Sequence, residues 1–253
     1  MSSGPKLGNG VSLGSWITMS DPAVAEVLAV AGFDWLVVDL EHSMLGLETA
    51  GELIRVIDLC GSIPLVRVTS NDPQQIKRVM DSGARGVVVP MVLSADDAAR
   101  AVAATRYPPD GTRGVGLGRA QGYGTGFREY LEWQVDGPVV IVQIEHVEAV
   151  ENLEGILGVP GVDGLLIGPY DLSSSLGVPG RFDDPGFLES MQKVQSTAQG
   201  MGVPTGLHIV DPEVKELEKA IAEGHTLIAY GVDFRFLDVG ARHGLAALEG
   251  PRD

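Results

Sequence analysis

Eight short runs rich in Val, Ile and Leu alternate with longer segments of helical periodicity, and this alternation constrains the fold more than any other feature. The runs are Val11–Thr18, Asp34–Glu41, Ile63–Val68, Gly86–Val92, Pro138–Glu145, Gly164–Gly168, Pro204–Ile209 and Thr226–Val232. Several are apolar almost throughout, which is typical of parallel strands that are covered on both faces. The pattern predicts an α/β protein with one (β/α)8 TIM barrel over residues 1–253, a usual length for this fold.

An open, doubly wound sheet is the alternative architecture, because eight parallel strands can also lie flat. No Gly-rich dinucleotide fingerprint follows the first run, Val11–Thr18, and this absence removes the usual reason to prefer the open sheet. The sequence therefore favours the closed barrel, with its active site at the carboxyl ends of the strands.

Helical patterns lie between the runs, and several have recognisable start signals. The segments are Pro22–Ala31, Leu47–Leu59, Pro73–Ser82, Ala95–Thr105, Glu148–Leu157, Pro212–Glu223 and Phe234–Leu248. Asp21, Asp72 and Asp211 each precede a Pro, which predicts a capped first turn. The Gly- and Pro-rich segment Tyr107–Gly126 predicts a long irregular connection, either an active-site cover or a surface excursion.

The charge balance limits the classes of partner. The chain has 34 acidic and 18 basic residues, for a net charge of −16. Attraction to phosphates requires clustered Lys and Arg, so we expect neither a nucleic-acid nor a membrane partner.

The single cysteine, Cys60, fits a reducing compartment, and the first residues lack the apolar core of a secretory signal. We expect a cytoplasmic enzyme.

Polar side chains end several of the otherwise apolar runs. Asp39 and Glu41 share one face of the second run, and Gln143 and Glu145 share one face of the fifth. Arg67 lies near the end of the third run. Charged groups at these positions are costly unless they are paired, metal-bound or solvated at the barrel opening.

The strand-end carboxylates outnumber the nearby cations. Asp171 follows the sixth run and joins Asp39, Glu41 and Glu145 in this group. A divalent cation would neutralise the excess, and oxygen ligands favour Mg²⁺ or Mn²⁺, with Co²⁺ also possible. The alternative is that the carboxylates cap helices and form salt bridges at the rim.

Other chemistries have weaker support. His42, just past a strand end, is a candidate for proton transfer, the alternative being a structural histidine. His208, near the end of the seventh run, is a weaker candidate for contact with the site. No G-x-S-x-G elbow is present, Ser173–Ser175 resembles a helix cap, and no run ends in the lysine that a Schiff base requires.

The order and spacing of several short motifs resemble the pyruvate-dependent class II aldolases of the HpcH/HpaI family between Leu13 and Leu237. The motifs are Phe33–Trp35, Asp39–His42, Val66–Val68, Asp81–Ala84, Val89–Val92, Arg106–Pro109, Arg113–Gly116, Val142–Glu145, Gly161–Gly164 and Ile167–Ser173. The resemblance implies a TIM barrel that cleaves a 4-hydroxy-2-oxo acid reversibly to pyruvate and an aldehyde through a pyruvate enolate. It also implies a divalent metal, Mg²⁺, Mn²⁺ or Co²⁺.

The resemblance implies a binding role for the strand-end groups of the fifth and sixth runs. Glu145 and Asp171 would be the metal ligands. Gln143 and the backbone at Gly168, Tyr170 and Asp171 would hold the 2-oxo acid.

It also implies roles in charge stabilisation and proton transfer. Arg67 would stabilise the enolate oxygen, and His42 would accept the proton, its basicity raised by Asp81. Asp39 and Glu41 would orient metal-bound water.

The family resemblance further implies a trimer-based homo-oligomer, usually a hexamer, in which a C-terminal helix packs on a neighbour. Leu117–Gly124 and Gly206–Ile209 depart from the family pattern, and we expect these segments to contact the acceptor aldehyde. Two other functions are the alternatives to aldol cleavage. One is a carbon–carbon-forming reaction on the same scaffold, either an acyl-CoA transferase of citrate-synthase type or a decarboxylating condensation. The other is a barrel without catalytic activity that serves binding or assembly.

Overall fold

Eight parallel strands form a closed barrel in chain order, as shown by a computed structural model that describes Leu7 and residues 10–246. The strands are Ser12–Ile17 (β1), Trp35–Asp39 (β2), Ile63–Arg67 (β3), Gly86–Val89 (β4), Val139–Ile144 (β5), Gly164–Ile167 (β6), Thr205–Ile209 (β7) and Leu227–Val232 (β8). β8 pairs with β1, so the sheet has no open edge. The prediction of a TIM barrel is confirmed, and the open doubly wound sheet is excluded.

Helices cover the outside of the barrel. Their bounds are Pro22–Ala31 (α1), Leu47–Leu59 (α2), Pro73–Asp81 (α3), Ala95–Thr105 (α4), Phe127–Trp133 (α5), Val147–Glu151 (α6), Leu153–Leu157 (α7), Pro169–Ser175 (α8), Pro185–Met201 (α9), Val214–Ala222 (α10) and Asp233–Ala246 (α11). The predicted stretch Phe234–Leu248 agrees with α11 as far as Ala246, and its last two residues lie outside the described residues. None of the helices in the described part of the chain is long and apolar enough to span a membrane.

Two separate apolar layers stabilise the barrel. Alternate strand residues point inward and fill its interior, among them Trp35, Val37 and Ile141. The other strand residues face outward and pack against the helices. Because both faces are buried, the strands are continuously apolar, which is the pattern recognised in the sequence. We call the carboxyl end of the barrel interior, where the polar side chains of the strand ends lie, the mouth.

The start signals were correct for two helices and wrong for one. The side chains of Asp21 and Asp72 accept hydrogen bonds from the first turns of α1 and α3. Asp211 does not cap a helix, because α10 begins only at Val214, and Asp211 pairs instead with Arg235 at 2.6 Å.

Two other local predictions need correction. The segment Glu148–Leu157 is divided into α6 and α7 at Asn152, whose side-chain amide donates to the backbone carbonyl of Leu93. Ser173–Ser175 is not a cap at a helix start, because these residues form the end of α8 and their hydroxyls donate to carbonyls one turn back.

The segment Tyr107–Gly126 lies at the amino-terminal end of the barrel. Together with α5 it connects the end of α4 to the start of β5, and both of these points are at that end. Arg119 within it contacts Asp58, near the end of α2, at 2.6 Å. Within one chain the segment is therefore not a cover over the mouth, and Leu117–Gly124 cannot contact an aldehyde bound at the mouth of the same chain.

Candidate active site

Glu145 is a buried carboxylate that directly follows β5. Its side chain is only 4% exposed, and one carboxylate oxygen accepts a hydrogen bond from the backbone N–H of Met91 at 2.7 Å. The other oxygen accepts from the side-chain amide of Gln143. Both Gln143 and Glu145 point into the barrel, as the alternation along the strand predicts.

Gly168 provides space for this carboxylate. A Cβ atom at Gly168 would lie 2.8 Å from both Cβ and Oε2 of Glu145. Any larger residue would therefore displace the Glu145 carboxylate. Asp171 follows in the first turn of α8 and is exposed, so its carboxylate faces the solvent side of the mouth.

Tyr170 contributes to this region only through its backbone. Its side chain is 63% exposed, and its ring packs edge-on against Phe182 with a centroid distance of 5.0 Å. The prediction that the backbone around Tyr170 binds a ligand is compatible with this orientation of the side chain.

The guanidinium of Arg67 is held by the carboxylate of Asp39 and by the aromatic ring of Trp16. Its Nε and Nη2 atoms donate to the two oxygens of Asp39 at 2.8 and 2.6 Å. Its guanidinium carbon lies 4.2 Å from the ring centroid of Trp16. Nη1 has no hydrogen-bond partner among residues 10–246, so this end of the guanidinium remains available to a ligand.

Glu41 lies next to this pair but does not share its hydrogen bonds. The distance from Glu41 Oε2 to Arg67 Nε is 3.3 Å, within the range of an ion pair. The Nε hydrogen points to Asp39, however, so Glu41 Oε2 is buried without a hydrogen bond from the described residues. This oxygen is an unsatisfied acceptor inside the mouth.

The carboxylates form one electrostatic group. Burial raises the pKa of Glu41 from 4.5 to about 7, Arg67 opposes the rise, and the charges of Glu145, Asp39 and Asp171 add to it. Burial also raises the pKa of Glu145, against the effect of the Met91 N–H, and the charge of Asp171 adds to the rise. The carboxylates of the mouth therefore repel one another, and this repulsion adds to the cost of burying Glu41 and Glu145.

His42 is at the rim of the mouth. Its side chain is 63% exposed, and Nε2 lies 3.7 Å from Glu41 Oε2. Its backbone N–H donates to Asp39 Oδ1, which fixes the chain where β2 ends. The imidazole is thus accessible to a ligand above the carboxylates.

Asp81 is not near His42 of the same chain. It is the last residue of α3, at the amino-terminal end of the barrel, and its carboxylate binds Arg113 at 2.6 Å. The family resemblance implied that both residues belong to one site, but α3 runs away from the mouth and carries Asp81 to the opposite end. The expected contact between His42 and Asp81 is therefore absent within the described chain.

The donor set of the mouth fits a hard divalent cation. Asp171 is close enough for its charge to raise the pKa of Glu145. Both residues supply oxygen, the ligand atom that Mg²⁺ and Mn²⁺ prefer. No cluster of three or more His, Cys, Asp or Glu with metal-binding geometry occurs in the described residues. A cation held here would take its remaining ligands from water or a ligand, as Mg²⁺ commonly does.

Sequence reasoning missed two residues of this site. Trp16, near the end of β1, supports Arg67. An aromatic residue in an apolar run gives no sign of such a role. Met91 has φ of 51°, a left-handed conformation that is uncommon for a residue with a side chain. The sequence gives no indication of this conformation. It shows only that β4 ends here, because Pro90 directly follows the strand.

Comparison with known proteins agrees with this geometry. Residues 12–237 match the family model HpcH/HpaI aldolase/citrate lyase. A 5-keto-4-deoxy-D-glucarate aldolase of Salmonella paratyphi A is 38% identical over 224 residues, covering 88% of this chain and 86% of the relative.

Two solved structures are also similar. An HpcH/HpaI aldolase/citrate lyase family protein from Burkholderia cenocepacia is 34% identical with a TM-score of 0.91, covering 97% of this chain and 98% of that one. The citrate synthase SbnG is 30% identical with a TM-score of 0.82, covering 95% and 93%. The strand-end carboxylates, the closed barrel and the extent of these matches lead to one conclusion: the chain belongs to the HpcH/HpaI aldolase/citrate lyase family.

Proposed function

We propose that this protein is a class II pyruvate aldolase that cleaves a 4-hydroxy-2-oxo acid reversibly to pyruvate and an aldehyde. The observation that carries the proposal is the group of four carboxylates at the mouth, with one buried arginine between them and an imidazole above them. The relatives named as 5-keto-4-deoxy-D-glucarate aldolases support the same class of reaction.

Glu145 and Asp171 would hold the divalent cation, Mg²⁺, Mn²⁺ or Co²⁺. When bound, it would supply Lewis-acid polarisation of a 2-oxo acid carbonyl. Gln143 lies against Glu145 and has a buried side-chain oxygen without a partner in the described residues. Together with the backbone at Gly168, Tyr170 and Asp171, Gln143 orients the 2-oxo acid.

Arg67 stabilises the charge that develops on the enolate oxygen of pyruvate. Asp39 fixes the guanidinium with two hydrogen bonds, and Trp16 fixes its plane. A donor held in this way needs no reorganisation when charge appears, which is the condition for effective electrostatic stabilisation. Asp39 and Glu41 would orient water around the bound cation.

His42 takes the proton from C3 of pyruvate. Its imidazole is 63% exposed and lies at the rim beside Glu41, so it is open to a bound substrate. Because Asp81 is at the opposite end of its own barrel, it can raise the basicity of His42 only from a second copy of the chain. The proposal therefore includes a trimer-based homo-oligomer, in which the α3 end of one copy meets the mouth of another.

A metal-supplemented screen of pyruvate with a panel of aldehydes, read by product mass, tests the proposal. Formation of a 4-hydroxy-2-oxo acid that stops on exhaustive chelation and returns with Mn²⁺, Co²⁺ or Mg²⁺ is the expected result. Full activity after chelation, or capture of a lysine adduct by borohydride, would contradict a class II mechanism.

A condensation of citrate-synthase type is the second candidate, because SbnG has the same fold at 30% identity. Such a reaction with an acyl-CoA requires a cationic site for the CoA phosphates. In the described segment Tyr107–Gly126, Arg113 is fully buried and Arg119 is paired with Asp58. Release of free CoA from acetyl-CoA and a 2-oxo acid would favour this second reaction over aldol cleavage.

A further inference from the structure

His208 is a histidine on the inner wall of the barrel at the level of the mouth. It stands two residues after Gly206 on β7. A Cβ at Gly206 would clash with the side chain of Leu166, which belongs to the interior layer, at 2.7 Å. Because side chains alternate along a strand, the side chain of His208 also points into the barrel.

The imidazole of His208 is fixed in one tautomer. Nε2 lies 3.0 Å from the backbone carbonyl oxygen of Gly231. A carbonyl oxygen only accepts hydrogen bonds, so Nε2 must carry the hydrogen. In a neutral ring Nδ1 then carries a lone pair, and Nδ1 has no partner among the described residues. His208 therefore offers an acceptor, not a donor.

The surroundings of His208 place this acceptor beside the catalytic arginine. Its ring lies 5.5 Å from the ring of Trp16, whose face supports Arg67. The charges of Arg67 and Asp39 both act on the imidazole, which identifies them as its charged neighbours. His208 is half-buried, and its ring lies beside Trp16 and Arg67 at the mouth.

His208 stays neutral at physiological pH. Burial lowers the pKa of its imidazole to about 4, the charge of Arg67 lowers it further, and the Gly231 carbonyl and Asp39 act in the opposite direction. A neutral acceptor attracts a hydroxyl group. It does not attract a carboxylate, because a carboxylate has no hydrogen to donate.

We propose that His208 determines the acceptor specificity of this enzyme by accepting a hydrogen bond from a hydroxyl group of the aldehyde. The preferred aldehydes are then hydroxyaldehydes, in preference to plain alkyl aldehydes and to those with a carboxylate at this position. This inference rests on the proposed aldolase function and adds a substrate class to it.

Two aldehydes that differ by a single hydroxyl group, glycolaldehyde and acetaldehyde, provide the test. In the addition of pyruvate, His208→Leu is expected to lower kcat/KM for glycolaldehyde about tenfold relative to acetaldehyde, the usual value of one neutral hydrogen bond. His208→Gln, which can donate to Gly231 and still present an oxygen, should recover most of this preference. Glyoxylate, which carries a carboxylate, should not lose reactivity with His208→Leu.

Deuterium uptake into the pyruvate methyl group separates this inference from the function on which it rests. Uptake needs no aldehyde, so both variants should exchange at close to the wild-type rate. Equal losses for glycolaldehyde and acetaldehyde, or a selective loss for glyoxylate, would overturn the role of His208. If the wild-type protein exchanged no deuterium at all, the aldolase proposal itself would fail.

Discussion

Arg67 and Asp39 form a two-point ion pair between neighbouring strands, with N–O distances of 2.8 and 2.6 Å. The two residues are direct partners in the register of β2 and β3. The pair is nearly buried, with side-chain exposures of 12% and 3%. The planar guanidinium is thereby locked in one orientation by a carboxylate that is itself fixed at the end of a strand.

This geometry predicts that Arg67→Lys impairs catalysis although it preserves the charge. A lysine cannot form the two-point contact with Asp39, nor lie flat on Trp16. We expect kcat for aldol cleavage to fall on the order of 10²-fold or more, as when a donor to a developing oxyanion is lost. Arg100→Lys, on the exposed face of α4, is the matched control and should leave kcat unchanged. A change confined to KM would show that Arg67 only binds the substrate.

A second prediction concerns the cation. Glu145→Gln removes a negative charge but keeps the shape of a buried side chain, so the protein should fold and bind metal weakly. We expect the Mn²⁺ dissociation constant, measured by electron paramagnetic resonance titration, to rise by at least about 100-fold, more than a supporting residue usually contributes. Glu148→Gln, three residues later and exposed, serves as the control. Unchanged Mn²⁺ binding in Glu145→Gln would remove Glu145 from the ligand set.

The raised pKa of Glu41 gives a third prediction, on stability against pH. In the unfolded chain this carboxyl titrates near 4.5, and in the folded protein near 7. Between these values the folded state binds more protons, so Glu41 lowers stability progressively as pH rises through this window. Glu41→Gln should therefore raise the Tm of metal-free protein at pH 8 by about 2–4 °C, the effect of 1 kcal/mol in a chain of this size. At pH 5 the two proteins should melt almost together. A lower Tm for the variant at pH 8 would contradict the assigned pKa shift.

The barrel could be predicted from the sequence because its signal is repeated. Each buried parallel strand is apolar on both faces, and every unit of the barrel repeats that pattern with a helix after it. The same reasoning placed Asp39, Arg67 and Glu145 at strand ends, where alternation fixes which side chains point inward. These inferences depend only on local geometry.

The remainder of the site depends on relations that a single sequence does not display. The support of Arg67 by Trp16 joins strands β1 and β3, and Trp16 looks like any other core residue. The left-handed backbone of Met91 is imposed by its surroundings. Asp81 is the last residue of α3, a helix that the sequence predicts, and the direction of that helix places Asp81 at the amino-terminal end of the barrel. The family resemblance had paired Asp81 with His42, which is at the mouth.

Arg113 gives a fourth prediction, because it anchors the segment Tyr107–Gly126. Its side chain is fully buried and donates to Asp81 at 2.6 Å and to the Tyr130 hydroxyl at 2.7 Å. Arg113→Met leaves both groups without their donor, so we expect a loss of about 3 kcal/mol in the free energy of unfolding. Arg128→Met on the exposed side of α5 is the control. Chemical denaturation at fixed protein concentration measures both, and equal stability of the two variants would show that the buried contact contributes nothing.

A fifth prediction concerns the base and its partner. Deuterium uptake into the pyruvate methyl group isolates proton abstraction, because it needs the enolate but no aldehyde. His42→Ala should slow this uptake strongly while metal affinity stays nearly intact. Asp81→Asn should slow it less, since it weakens the base without removing it.

Co-assembly of defective chains shows whether Asp81 acts across an interface. In an oligomer formed from His42→Ala and Asp81→Asn chains, some mouths combine an intact His42 with an intact Asp81 of another copy, and exchange should recover in that fraction. His42 and Arg67 belong to the mouth of one chain, so oligomers of His42→Ala and Arg67→Lys chains contain no intact mouth and provide the negative control. Without recovery in the first mixture, Asp81 has no catalytic role and its pairing with Arg113 is purely structural. Light scattering on each mixture gives the mass relative to the 26.6 kDa chain, and a monomer would contradict the interface directly.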